Sequence, residues 1–458
     1  MHSRRADLST AKSEGDVNLS PRRAAWQQRA VDQRTRELLE EDARYFLHQS
    51  LSTPCLNGIV RCEGAYIEDV QGRRYLDFHG NYVHQVGFAN PAVIAAIKEQ
   101  LDELSFCTRR YTNPVAVELA RKLTTIAPGD LGKVLFCPGG TSAIGIALKL
   151  ARVATGRYKT ISMWDAFHGA SLDAISVGGE EVFRGDIGPL LPGTEHVPPP
   201  DSYRCLWDCA ERGGCELKCA QFIEYVLEKE GDVAAVVAEP VRSTPYIPRP
   251  EYWQRIRAAC DRHGTLLVFD EIPHALGRTG RMFTCEHFGV VPDILVIGKG
   301  LGGGVLPWAA VIARESLDVA GDRALGHYTH EKNPVCCAAA LATIRYIEQH
   351  RLVERAAELG DRAMMRLRDM QQRISAIGDV RGLGLLLGVE LVRDRQTKQR
   401  ASDEADAIMY RALDRGLSFK LTMGNIITLA PPLTITDEEL DGALRILEEC
   451  IVAETGWI

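Results

Sequence analysis

An α/β fold built on a largely parallel sheet, followed by a smaller α+β unit, is what this sequence predicts, and three observations carry that expectation. Between residues 91 and 299, segments of helical period alternate with short β-branched runs. The runs "KVLFC", "KTISMW", "DVAAVVAEP", "TLLVFDE" and "DILVIGKG" are almost continuously apolar, as strands buried on both faces of a sheet must be. After Pro334 the pattern changes to long helical stretches and only then returns to strands.

In chain order, residues 1–20 are polar and without period, and are expected to be a disordered tail. "SPRRAAWQQRAVDQRTRELLEEDARYFL" then sets a proline near its start and apolar residues at helical spacing, predicting a helix. "YIEDVQGRRYL" has two strand-like runs about a polar turn at Gly72 and predicts a hairpin. Together these form an N-terminal segment, 21–85, expected to pack with the smaller unit. The large domain is expected over 86–340, with helices in "NPAVIAAIKEQLDEL", "VAVELARKLTTIA", "AIGIALKLARVAT" and "YWQRIRAACDRHG" between the strands. The small domain, 341–458, follows with the rest of a long helical region that opens at Cys336, strands in "IGDVRGLGLLLGVELV" and a closing helix in "TDEELDGALRILEECIVA". No internal repeat interrupts this order.

Composition excludes several classes. The 458 residues are 45% hydrophobic, enough for two or three packed units, and the formal charge is -7 with no lysine or arginine block. A nucleic-acid-wrapping surface is therefore not expected, and the partners should be small molecules. No apolar run reaches the roughly 18 residues of a membrane span, and the polar start lacks a secretory core, so the cytoplasm is the expected location. Thirteen cysteines, an odd number, suit reduced thiols. Four of them, Cys205, Cys209, Cys215 and Cys219, form a C-x3-C-x5-C-x3-C pattern. It is read as a local structural cluster, thiol or disulfide, in preference to a metal site, and no metal ligands are assigned.

One lysine stands between glycines in "PDILVIGKGLGGG", residues 292–304. "GKGLGG" formally matches G-x-G-x-x-G, yet that turn must open a helix, and "GVLPWAAVIA" reads as extended, which argues against nicotinamide binding. Upstream, Asp270 closes the run "TLLVFDE", 29 residues before Lys299 (299 − 270). An amine and a carboxylate at two strand ends are what a pyridoxal phosphate enzyme needs. The lysine forms a Schiff base, and the carboxylate keeps the pyridine nitrogen protonated so that the ring accepts electrons. "FCPGGTSAIGIALKLAR" runs from a strand through a glycine pair into a helix, so the N–H groups of Gly140, Thr141 and Ser142 would suit a phosphate, or a plain N-cap. Phe167, in "WDAFHGAS", suits either stacking on a ring face or a place in the core.

On these residues the chain resembles the class III aminotransferases, which are fold type I pyridoxal phosphate enzymes. The likeness is carried by "LLVFDEIPHALGRTGRMFTCEHFGVVPDILVIGKGLGGGVLP", with "FHG", "AEPV", "GGTSAIGIALKLAR" and "THEKNPVCCAAALA" as supporting pieces, and it runs from about Tyr45 to Glu454. The resemblance implies pyridoxal 5'-phosphate as cofactor, Lys299 as the Schiff-base lysine and Asp270 as the partner of the pyridine nitrogen. It implies Ile272 on one ring face, Phe167 on the other, Gly140 and Thr141 on the phosphate, and Glu239 among the cofactor-binding residues. Thr329 would reach the phosphate of a second subunit, which implies a homodimer with active sites at the interface.

Two departures from the family bear on the reaction. Members that use 2-oxoglutarate carry an arginine in segments resembling I-R-x-x-P-P-L and a glutamate that switches it off in segments like E-P-[IV]-Q-G-E. Here "NIITLAPPL" has Thr428 at the arginine position, and "EPVRST" has Arg242 for the glutamine and Thr244 for the glutamate. Without that pair an α-keto acid acceptor is not expected, and the alternative is elimination. Likeness in "YFLHQSLSTPCLN", "FHGNYVHQVG", "RRYTNPVAVELA" and "GHYTHEKNPV" points to the family's lyases of phosphorylated or phosphonate amines. The expected activity is a pyridoxal-phosphate-dependent ammonia-lyase that converts a small hydroxylated amino-phosphonate to phosphonoacetaldehyde and ammonia; the alternative is an ω-aminotransferase using pyruvate or another acceptor. A phosphonate dianion calls for cations. The candidates are Arg109, Arg110, Arg242, His330 and Lys332, each of which alone also suits a surface or structural charge. Tyr82 and His84, in "GNYVHQ", would line the substrate entrance or pack beneath the cofactor.

Overall fold

The computed structural model describes Ser13, Gly15 and residues 20–209 and 214–456, so the tail expected over 1–20 lies almost wholly outside the described residues. The first helical stretch is two helices, α1 (Pro21–Ala30) and α2 (Gln33–Tyr45). The break has a local cause. Asp32 is extended and its carboxylate accepts the Thr35 N–H at 2.8 Å, starting a new helix while Val31 is buried beside it.

Strands β1 (Ile59–Glu63), β2 (Tyr66–Asp69) and β3 (Arg74–Asp77) follow, with β2 and β3 forming the predicted hairpin. Three later helices share one start signal. In α3 (Pro91–Glu103), α4 (Pro114–Ile126) and, further on, the helix at Pro334, an asparagine side chain caps the first turn and proline takes its first position.

The large domain then alternates as expected: β4 (Leu131–Cys137), α5 (Gly140–Thr155), β5 (Lys159–Met163), short α6 (Leu172–Val177) and α7 (Glu181–Arg184), β6 (Thr194–Val197), α8 (Lys218–Glu230), β7 (Val233–Ala238), α9 (Pro250–His263), β8 (Leu266–Asp270), β9 (Ile294–Ile297) and β10 (Ala309–Arg314). These seven strands form one sheet in the order β4-β10-β9-β8-β7-β5-β6. Only β10 runs against its neighbours. Because Gly303 leads into β10 and not into a helix, the glycines after Lys299 do not build a dinucleotide turn.

The remainder is α10 (Pro334–Gln349), α11 (Leu352–Arg373), β11 (Ile377–Leu383), β12 (Leu386–Asp394), β13 (Gln399–Arg400), α12 (Ser402–Asp414), β14 (Leu417–Ser418), β15 (Lys420–Thr422), β16 (Ile426–Leu429) and α13 (Asp437–Thr455). A second sheet has the order β11-β12-β16-β15, with β13 paired to β12. The third joins the two ends of the chain, since β14 lies parallel to β3 at the edge of the N-terminal hairpin. Among the described residues no helix is long and apolar enough to cross a membrane.

Candidate active site

Six strands of the large sheet end on one side, and the residues singled out around the lysine lie at the ends of five of them: Gly140 after β4, Phe167 after β5, Glu239 after β7, Asp270 and Ile272 at β8, and Lys299 after β9. Ligands in open α/β sheets bind on this side. Lys299 opens a 3-10 turn with φ +44°, a left-handed conformation that costs a non-glycine residue roughly 1–3 kcal/mol and so marks a position the fold holds against strain.

Asp270 is 2% exposed and doubly held. One carboxylate oxygen accepts the Ile272 N–H at 3.1 Å, and the other lies 2.8 Å from Nδ1 of His168, which is itself buried. His168 reaches Ser162 through Nε2 at 3.4 Å. The neighbouring Glu271 points the opposite way along the strand, where its carboxylate accepts the N–H groups of Thr284 and Cys285 at 2.6 and 2.7 Å. Burial pushes the Glu271 carboxyl up to about 7. The two adjacent acids at the end of β8 are thus turned apart, Asp270 onto His168 and Glu271 onto the buried backbone of Thr284 and Cys285.

The N-terminus of α5 begins at Gly140, where a Cβ would lie 2.7 Å from Ile272 Cδ1, so a larger residue there has to displace the Ile272 side chain or the helix end. Thr141 packs against Gly169 so closely that a side chain at 169 would overlap its hydroxyl. The first-turn N–H groups of α5, which have no partner within the helix, lie at the end of β4, and a helix N-terminus of this kind suits an anion.

Tyr82 is buried and its ring carries two ammonium groups, Lys299 Nζ at 5.0 Å and Lys420 Nζ at 5.3 Å from the centroid. Its hydroxyl donates to the Ser243 carbonyl at 3.2 Å. Lys420 also lines a cavity of ≈570 Å3 together with His79, Asn81, Phe167 and Phe183. Phe167 is half-buried, with its ring 4.4 Å from that of Phe183. His79 is held well below the ordinary imidazole range by burial, then by Lys420, His84 and Lys299. Of the two histidines in this stretch it is therefore His79 that faces the lysines. His84 packs beneath, fully buried, its ring 4.8 Å from Phe88.

The cations proposed from the sequence divide into two groups. Arg242 is buried at the site but is bound by carboxylates, with Nη2 2.6 Å from Glu180 and Nε 3.6 Å from Glu239. Thr428 and Thr244 are buried as well, and the Thr428 hydroxyl pairs with that of Thr422 at 3.0 Å. Arg109, Arg110, Thr329 and His330 instead stand exposed, on two segments that meet each other: Arg109 bonds His327, the His330 ring packs edge-on to Phe106 at 5.3 Å, and Asn113 donates to the Lys332 carbonyl at 3.0 Å. Within one chain these residues form a surface group separate from the residues gathered around Tyr82.

His168, His79, Lys420 and Glu180 were not identified from the sequence. "FHG" contained His168, but its link to Asp270 crosses 102 residues and depends on β5 and β8 both flanking β7. Lys420 sits in a three-residue strand too short for any period to show.

A buried carboxylate, a helix N-terminus beside it, an apolar side chain between them and an amine at the next strand end are the donor set pyridoxal phosphate requires. Residues 48–451 match the family model "Aminotransferase class-III". The chain is 49% identical over 456 residues to the (R)-1-hydroxy-2-aminoethylphosphonate ammonia-lyase of Vibrio splendidus, covering 96% of this chain and 95% of that protein. It is 39% identical over 427 residues to the leucine/methionine racemase of Thermococcus litoralis, covering 91% and 96%. An amine transaminase from an uncultivated Pseudomonas species, solved in its pyridoxal-phosphate-bound form, superposes with a TM-score of 0.83 at 33% identity over 89% of this chain and 98% of that one. The protein is an enzyme of the class III aminotransferase family, with pyridoxal phosphate as its cofactor.

Proposed function

We propose that the protein is an ammonia-lyase that converts a hydroxylated aminoethylphosphonate to phosphonoacetaldehyde and ammonia. The observation that carries this reading is at the acceptor site. The position of the family's arginine holds Thr428, turned onto Thr422, and the cation that has entered nearby, Arg242, is engaged by Glu180 and Glu239. A keto acid carboxylate would meet no guanidinium fork at that position. The identity of 49% to a lyase of this type supports the same conclusion.

When bound, pyridoxal phosphate supplies the electron sink for the carbon bearing the amine. Lys299 is the residue that holds the cofactor and then moves the proton from that carbon. Asp270, aimed by His168 and the Ile272 N–H, holds the pyridine proton. The α5 N-terminus at Gly140 and Thr141 takes the phosphate, Ile272 and Phe167 flank the ring, and Glu239 fixes Arg242 in the site wall. Lys420 supplies the cation for the phosphonate. It lies directly across from Thr428 in the β15–β16 ladder, on the same sheet face, so the positive charge has moved one strand over from the arginine's place. Thr329, Arg109, Arg110, His330 and Lys332 act across a dimer interface, which gives their exposed group an occupant.

The test is ammonia release from the hydroxylated aminophosphonate by purified enzyme with no keto acid added. Stoichiometric phosphonoacetaldehyde is expected. A strict requirement for pyruvate or 2-oxoglutarate, with alanine or glutamate formed in equal amount, would establish the aminotransferase instead.

A further inference from the structure

Ser13 belongs to the polar stretch before α1, yet it is 1% exposed, and a hydroxyl buried to that degree needs hydrogen-bond partners. It has them. The hydroxyl accepts the Gly15 N–H at 3.3 Å and donates to Oε2 of Glu180 at 3.2 Å, and the Ser13 carbonyl accepts the Met423 N–H at 2.6 Å. Glu180 stands at the start of α7 in the large domain, whereas Met423 follows β15 of the second sheet, three residues after Lys420 (423 − 420). One residue of the N-terminal stretch therefore ties two parts of the chain that flank the site. The contacts close into a ring. The other Glu180 oxygen holds Nη2 of Arg242 at 2.6 Å, the Arg242 N–H donates to the Tyr246 carbonyl at 3.2 Å, and Tyr246 packs with Met423 and Ile426 in one buried cluster. Each carboxylate oxygen of Glu180 has its own directional donor, so Ser13 helps to fix the plane of the group that aims Arg242. Gly15 lines the main cavity with His79, Phe167 and Lys420, and a Cβ there would lie 3.2 Å from Leu51 Cδ2. The same short stretch thus supplies one piece of the cavity wall and one piece of the ring behind it.

We propose that Ser13 is a positioning residue that acts on Arg242 through Glu180, and that with Gly15 it straps the N-terminal stretch across the wall of the main cavity. With the strap in place, Glu180 is fixed from both sides and the cavity is closed at Gly15. With the strap away, Oε2 of Glu180 loses its hydroxyl donor, the Met423 N–H loses its acceptor, and water reaches the cavity past Leu51. A tie made of a few neutral or singly charged hydrogen bonds is weak enough to open within a turnover. The inference goes beyond the lyase reading and survives its failure, because it concerns access to the cofactor cavity under either reaction.

The experiment uses full-length holoenzyme without substrate and measures how fast hydroxylamine bleaches the yellow cofactor colour. Ser13→Ala is expected to speed bleaching about fivefold, in line with the loss of one hydrogen bond to a carboxylate, with the melting temperature little changed. Ser13→Thr, which keeps the hydroxyl, should bleach at nearly the unaltered rate. A second variant, Ser13→Cys, reads the burial directly. Its introduced thiol should be protected from iodoacetamide at least about tenfold more than the exposed Cys62, each rate being taken relative to the unfolded chain and mapped by mass spectrometry. An unchanged bleaching rate in Ser13→Ala, equal rates in Ser13→Ala and Ser13→Thr, or a thiol at position 13 as reactive as Cys62 would each overturn the proposal.

Discussion

Lys420 is the residue on which the proposed substrate reading turns. It is a buried cation, and its ammonium shares the Tyr82 ring with Lys299. With Lys299 joined to the cofactor, the Lys420 charge still lines the main cavity, where a dianion gains more from it than a monoanion does. Lys420→Met should weaken binding of 2-aminoethylphosphonate, read from the cofactor's absorbance, by about 30-fold, in line with a lost charge-assisted bond of roughly 2 kcal/mol. An uncharged amine of similar size should bind as before, and Lys420→Arg should restore most of the loss. Equal weakening for both amines would remove Lys420 from the role of anion anchor. Legibility at this scale was uneven for a physical reason. Lys299 and Asp270 end long buried runs, so their strands announced them; Lys420 and His168 are defined by what lies across a sheet, and one sequence does not display that.

At the level of elements, the helices were legible, with the starts of α4 and α10 set one and two residues late. Each Asn-Pro pair became a capped helix because the amide satisfies first-turn N–H groups and proline needs no partner there. The split between α1 and α2 was missed because the helical period continues through Val31, while the Asp32 cap overrides it locally. The start of α5 was read as a phosphate seat or a plain cap, and its closeness to Ile272 makes it testable. Gly140→Ala puts a methyl 2.7 Å from Ile272 Cδ1, an overlap worth roughly 1–3 kcal/mol if it is relieved by moving the helix end. Cofactor retention on dialysis should fall about tenfold, with the melting temperature of the cofactor-free protein shifted much less. If both change in proportion, the contact is packing alone.

For the molecule as a whole, the alternating pattern made the large sheet legible, including the extended segment after Gly303, whereas the third sheet was not, since β3 and β14 pair across more than three hundred residues. Stability should follow pH through histidines that the fold keeps neutral. Burial, then the Arg278 guanidinium, push His84 down to about 3 from an ordinary value near 6.5. The unfolded chain therefore gains a proton below about 6.5 that the folded chain refuses until about 3. The His84 contribution is complete above 6.5 and is lost as pH falls, with a slope near 1.4 kcal/mol per pH unit around pH 5. Glu271, whose carboxyl is raised, pulls the other way, so His84 is read from a difference: between pH 7.5 and pH 5 the slope of denaturant stability against pH should be more positive by one proton in the unaltered protein than in His84→Gln, and equal slopes would mean the ring is charged in the fold.

The pairing of β14 with β3 also bears on how the enzyme is made. The main cavity takes walls from residues 49–56 and from 409–421, so a nascent chain carries one wall of its binding chamber through the synthesis of more than three hundred further residues before the other is made. Until β14 has been made, the chamber stands open on that side and the hairpin's outer edge waits unpaired.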